Sequence, residues 1–145
     1  MKKIISTSLV FGFFLFANSF FAQEISKEQK VAFQSDNVDS FKAAFPKENY
    51  NKCISVKENS YNLLAYSIKY ERKNIFNYLL NNGADVNKEC DNQTPLMVAA
   101  RYGKAELGKE LIKRGAHKNA KNSKGQTAKD FSVQYKHPEF SAVLK

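Results

Sequence analysis

The chain has no tryptophan, three prolines, two cysteines and two histidines. Each scarcity excludes something. His117 and His137 stand apart, with no HExxH or comparable metal spacing around them. The serines lie outside any GxSxG context. Cys53 and Cys90 are too few for a four-ligand cysteine site and are not spaced as CxxC, so a redox motif is absent. The tight carboxylate pairs, such as Glu89 and Asp91, fall in a turn-rich stretch with no apolar surroundings to raise a pKa. No constellation for catalysis, a cofactor or a metal emerges, and the expected protein is not an enzyme.

A long hydrophobic run is also missing. The one strongly apolar stretch, Ile4–Phe16, falls short of the roughly 20 residues that a bilayer crossing needs. It follows Lys2 and Lys3 and gives way at Ala17–Ala22 to polar residues from Gln23 on. This is the pattern of a signal peptide over residues 1–22. A folded domain over 23–145, periplasmic or secreted and without stable membrane insertion after cleavage, is expected. Export makes a disulfide chemically permissible.

Negative charge is in short supply: 23 Lys and Arg face 14 Asp and Glu, a formal charge of +9. The cations are dispersed, with Lys113–Lys129 the densest stretch, and carry no interleaved stacking groups of the kind that nucleic acid binding needs. The charge points instead to a protein partner, of acidic character, or an envelope surface.

What the chain does have is self-similarity. Asp91–Gly115 reads DNQTPLMVAARYGKAELGKELIKRG, and Tyr78–Asn87 (YLLNNGADVN) repeats its later half 32 residues upstream. Tyr70 falls opposite Tyr102, Leu79-Leu80 opposite Leu111-Ile112, and Gly83-Ala84 opposite Gly115-Ala116. A further copy starts at Thr127, 33 residues beyond Thr94, with Tyr135, Phe140 and Leu144 in phase. A faint first copy carries Val31-Ala32-Phe33, a break at Asn37, then Phe41 and Phe45 before Pro46. Such a period marks stacked repeats, which present an extended surface rather than one cleft.

Each unit reads as helix, tight turn, helix, loop. Thr94 is an N-cap candidate, Pro95 suits the first helical position, and Leu96, Ala99 and Ala100 line one face. Gly103 suits the left-handed turn, and Leu107, Leu111 and Ile112 form the second stripe before Gly115.

Thr94-Pro95-Leu96, Ala99-Ala100, Gly103 and Gly83-Ala84-Asp85-Val86-Asn87 together resemble the ankyrin repeat pattern, most closely over residues 60–130. The resemblance implies an all-α solenoid of about four helix-turn-helix units, roughly 24–56, 57–89, 90–122 and 123–145. Met97 stands where the family has His, and Asn62-Leu63-Leu64 where it has Thr-Pro-Leu. The family usually meets a protein partner on its concave side. Here that side implies the fingers Asp85–Asn92 and Asn119–Gly125 and the first-helix positions Met97, Arg101 and Tyr102. Tyr66 and Tyr70, four apart on one helix face, read either as filler for missing consensus residues or as an aromatic anchor. Small exported proteins of this kind resemble periplasmic proteins of Gram-negative bacteria that support an envelope enzyme or neutralise a toxin as immunity proteins. A monomer is expected. Family fingers stack farther apart than the roughly 7 Å a disulfide tolerates, so Cys53 and Cys90 are expected to stay unpaired unless the first finger is irregular.

Overall fold

The computed structural model describes residues 23–145; the expected signal segment, residues 1–22, lies outside them. Helices pair along the chain. α1 (Lys27–Gln34) and α2 (Val38–Ala44) form the first unit, α3 (Leu63–Lys69) and α4 (Lys73–Asn81) the second, α5 (Pro95–Arg101) and α6 (Ala105–Lys113) the third. The fourth consists of α7 (Ala128–Gln134) and a 3-10 segment, Pro138–Ala142. α3 packs on α5 and α5 on α7, so the first helices of the second, third and fourth units form one layer.

Local chemistry sets the ends of these helices. Ser26, Asn37, Asn62, Thr94 and Thr127 each cap the helix that follows them by accepting a backbone N–H. The turn within each unit needs a left-handed residue, and Asp36, Glu71, Gly103 and Lys136 supply it with φ of 51°, 55°, 64° and 61°. The first break therefore falls at Asp36, one residue before the expected Asn37. Asp36 also works across units: its carboxylate accepts from the backbone N–H groups of Asn74 and Ile75, which start α4, a helix without a cap of its own.

Gly103 differs from its three counterparts. A Cβ built there would lie 2.6 Å from Nδ1 of His137. Gly103→Ala is expected to cost about 1–3 kcal/mol, from left-handed strain together with displacement of that ring; urea unfolding of the variant measures it.

The core follows the repeat stripes. Leu64, Ile68, Ile75, Leu79, Leu96, Val98, Ala99, Ala100 and Leu111 are fully buried. The first unit is filled differently, by Phe33, Phe41, Phe45 and Tyr50, with Tyr66 and Tyr78 packed against them. Gly108 in α6 admits the ring of Phe140, whose nearest atom would stand 2.6 Å from a Cβ at that position. That close approach seats the fourth unit, although its second helix is reduced to the 3-10 segment.

Two expectations need correction. The fold is mainly helical but not all-α. β2 (Ile54–Val56) and β3 (Asn59–Tyr61) form an antiparallel hairpin, and β1 (Gln23–Glu24) pairs in parallel with β2. β-branched Ile54 and Val56 alternate with polar Ser55, and Lys57 at φ 57° makes the turn, a strand pattern inside what the repeat period marks as a finger. This hairpin is the irregularity that overturns the second expectation. It brings Cys53 to a Cα–Cα distance of 5.7 Å from Cys90, and the two form a disulfide.

Candidate functional site

The C-terminal ends of the first helices carry a ladder. Tyr70, Tyr102 and Tyr135 are the residues that end α3, α5 and α7, each one repeat beyond the last. The residue before each is Lys69, Arg101 and Gln134. Cations at a helix C-terminus are favoured by the exposed carbonyls there.

The two cations alternate with the rings. Nζ of Lys69 lies 5.2 Å from the centre of the Tyr70 ring and 5.5 Å from that of Tyr102. The Arg101 guanidinium lies 5.5 Å from the Tyr102 ring and 4.8 Å from the Tyr135 ring. A hydroxyl pair pins the middle ring: the Oη atoms of Tyr61 and Tyr102 are 3.3 Å apart. Burial, then the Tyr102 hydroxyl, pushes the Tyr61 phenol far above its usual range, so it stays neutral beside Lys69. Among the described residues, neither Lys69 nor Arg101 has a carboxylate within ion-pair distance.

Hollows flank the ladder. One, of about 330 Å³, is walled by Asn92 and Gln93 of one finger, Lys124 and Gln126 of the next, and Arg101, Gln134 and Tyr135 of the first helices. Its amides are held in place: Arg101 donates to Gln93 Oε1 at 3.3 Å and Gln126 to Gln134 Oε1 at 3.3 Å. The finger Cys90–Gln93 is a two-residue hairpin, with Asp91 and Asn92 both at positive φ. Its far side is fixed by the disulfide to Cys53. The second hollow, about 300 Å³, lies at the other end, between Lys30 and Phe33 of α1, Ser55 and Lys57 of the hairpin, and Tyr66 and Tyr70.

The five residues expected at the site separate into two groups. Arg101, Tyr102 and Tyr70 lie on the ladder, Tyr70 exposed and the other two half-buried. Met97 is only 1% exposed and Tyr66 7%, so neither presents its side chain as expected. Met97 instead substitutes for the family histidine within the cap: its Sδ accepts the Thr94 N–H at 3.5 Å, while Thr94 Oγ1 accepts the Met97 N–H. Tyr66 packs at a tilt on Phe33, and burial pushes its phenol up to about 12. Tyr66 therefore fills space in the core, as do Tyr50 and Tyr61, whereas Tyr70 is exposed. Met97→Ala is expected to cost about 2–4 kcal/mol of stability while leaving the ladder in place; thermal unfolding followed by circular dichroism checks it.

Sequence reading missed Lys69, Gln134 and Tyr135 as members of the site. The signal was present: Lys69 aligns with Arg101, and Tyr135 with Tyr102, at the repeat period.

A family model described as ankyrin repeats (3 copies) matches residues 30–122 and again 73–144. The chain belongs to the ankyrin repeat family. Ankyrin repeats are generally protein–protein interaction modules and suggest a protein partner. No curated protein matches it closely enough to add a more specific role. Among the described residues no cluster of His, Cys, Asp and Glu could hold a metal, and no helix is long and apolar enough to cross a membrane.

Proposed function

We propose that this ankyrin repeat protein is exported to the periplasm and acts there as a non-catalytic module that binds a protein partner through the tyrosine ladder and its flanking hollows. The observation that carries the reading is the register of Tyr70, Tyr102 and Tyr135 with Lys69 and Arg101 between them. Buried consensus positions explain themselves by stacking, whereas this line opens on a hollow at each end, Tyr70 lining one and Arg101 and Tyr135 the other. Tyr and Arg are the side chains that dominate interface energetics. Export is supported by the Lys2-Lys3 and Ile4–Phe16 leader pattern and by the Cys53–Cys90 bond, which persists in oxidising compartments.

Affinity capture from an envelope extract, using the chain as exported, tests the binding role. A specific partner is expected, and replacing Arg101, Tyr102 and Tyr135 together with Ala should weaken its capture by at least about thirtyfold, equivalent to about 2 kcal/mol. Undiminished capture by a folded triple variant contradicts the assignment. A secreted toxin among the captured proteins would specify the role as immunity; an envelope enzyme would specify it as support. Intact mass of the recovered chain tests export separately: residues 1–22 should be absent, and a retained Lys2 contradicts cleavage.

A further inference from the structure

We infer that the groove takes an extended acidic segment of the partner, with carboxylates on alternate residues, one seated on Lys69 and the next on Arg101. The inference rests on the binding role just proposed for the same groove.

Charge comes first. Lys30, Lys57, Lys69, Arg101 and Lys124 line the ladder and its two hollows, against Glu24 and Asp91. Lys42, Lys73, Lys104, Lys109, Lys113 and Arg114 lie within ion-pair distance of a carboxylate. Lys69 and Arg101 are held by tyrosine rings instead, which fix their position without cancelling their charge. A cation kept in place and left unneutralised is an anchor for an anion from outside.

Spacing comes second. Nζ of Lys69 and Cζ of Arg101 each stand 5.5 Å from the centre of the Tyr102 ring, so the two charges are at most about 11 Å apart. Alternate residues of an extended chain share a face and are about 6.8 Å apart, which lies within that bound; neighbouring residues point to opposite faces. The lining supplies the rest. Asn59, Asn92, Gln93, Gln126 and Gln134 carry amides, which both donate and accept and so complement the N–H and C=O groups of a peptide main chain.

Three capped nonapeptides test this against the full exported chain by fluorescence anisotropy: one with Glu at three alternate positions, one of the same composition with the three Glu consecutive, and one with Gln replacing Glu. The alternating peptide should bind at least fivefold tighter than the consecutive one and about tenfold tighter than the Gln peptide, the scale of one charged hydrogen bond. Lys69→Gln and Arg101→Gln should each remove most of that preference. Lys42→Gln and Lys113→Gln, on α2 and α6, should change it less than twofold. Equal binding of all three peptides, equal losses from all four substitutions, or tighter binding of a single-stranded oligonucleotide through Lys69 and Arg101 overturns the inference. The same variants separate it from the wider reading. If a captured partner is lost with Tyr102→Ala and Tyr135→Ala but kept with Lys69→Gln and Arg101→Gln, the groove binds without acidic seating and only this inference fails. If none of the four matters, the binding face itself is wrong.

Discussion

Removing the Cys53–Cys90 bond, by reduction or by replacing both residues with Ser, is expected to destabilise the protein by about 3–4 kcal/mol. The two cysteines are 37 residues apart, and a crosslink over a loop of that size restricts the unfolded chain by an amount of this order. For a domain of this length the melting midpoint should fall by roughly 10–15 °C. The loss should also be local. The bond joins the start of the hairpin to the finger that carries Asp91, Asn92 and Gln93, one wall of the larger hollow. Hydrogen exchange at those residues should accelerate on reduction, while α6 is left largely protected. A double variant that melts within 2–3 °C of the parent, with unchanged finger exchange, would show that the clasp stabilises nothing.

Phe41→Ala is expected to cost about 3–5 kcal/mol, at the upper end for a single core truncation. Phe41 is fully buried and packs on four other rings. It stacks on Phe45 at 5.0 Å and meets Tyr50, Tyr78 and Phe33 at 5.7, 6.0 and 6.3 Å. These rings replace the small consensus residues in the terminal unit, so one truncation removes support from several neighbours at once. Since stacked repeats are stabilised by nearest-neighbour contacts, the damage should begin in α1 and α2 and spread inward through α3 and α4, which carry Tyr66 and Tyr78. Chemical unfolding of the variant gives the magnitude, and hydrogen exchange gives the location. Uniform loosening across α1–α7 would contradict the terminal placement.

What the sequence disclosed, and what it hid, follows from how far each signal reaches. Thr94-Pro95, Gly103 and Gly115 act within a few residues, so the caps and turns of the third unit were legible. The period carried the same reading to the second and fourth units and to the buried face of each helix. The hairpin was not legible, because Ile54–Tyr61 sits where the period calls for a finger and its strand character spans only a few residues. The disulfide depends on that hairpin and was hidden with it. Asp36 escaped because its cap belongs to α4, on the other unit: nothing local in Ser35-Asp36-Asn37 indicates a partner 38 residues away.

The site shows the same division. Arg101 and Tyr102 were read from the family pattern, and the structure places them between Lys69 and Tyr135. The same family pattern places Met97 beside them, yet it is buried. Its burial follows from the cap, where the sulfur meets the Thr94 N–H, a contact that a missing histidine concealed. Tyr66 and Tyr70 share a helix face by spacing, yet α1 covers one and leaves the other open, which only the packing of the first unit decides.

The binding face can be tested without knowing the partner. A photo-crosslinking residue is placed at Gln134, exposed beside Tyr135 on the groove, and in a second variant at Lys109, exposed on α6. Both are irradiated in the envelope of cells producing the exported chain. Crosslinks from Gln134 to a single protein, with none from Lys109, are the expected result; crosslinks to that protein from Lys109 alone would place the binding face on the second helices and contradict the assignment made here.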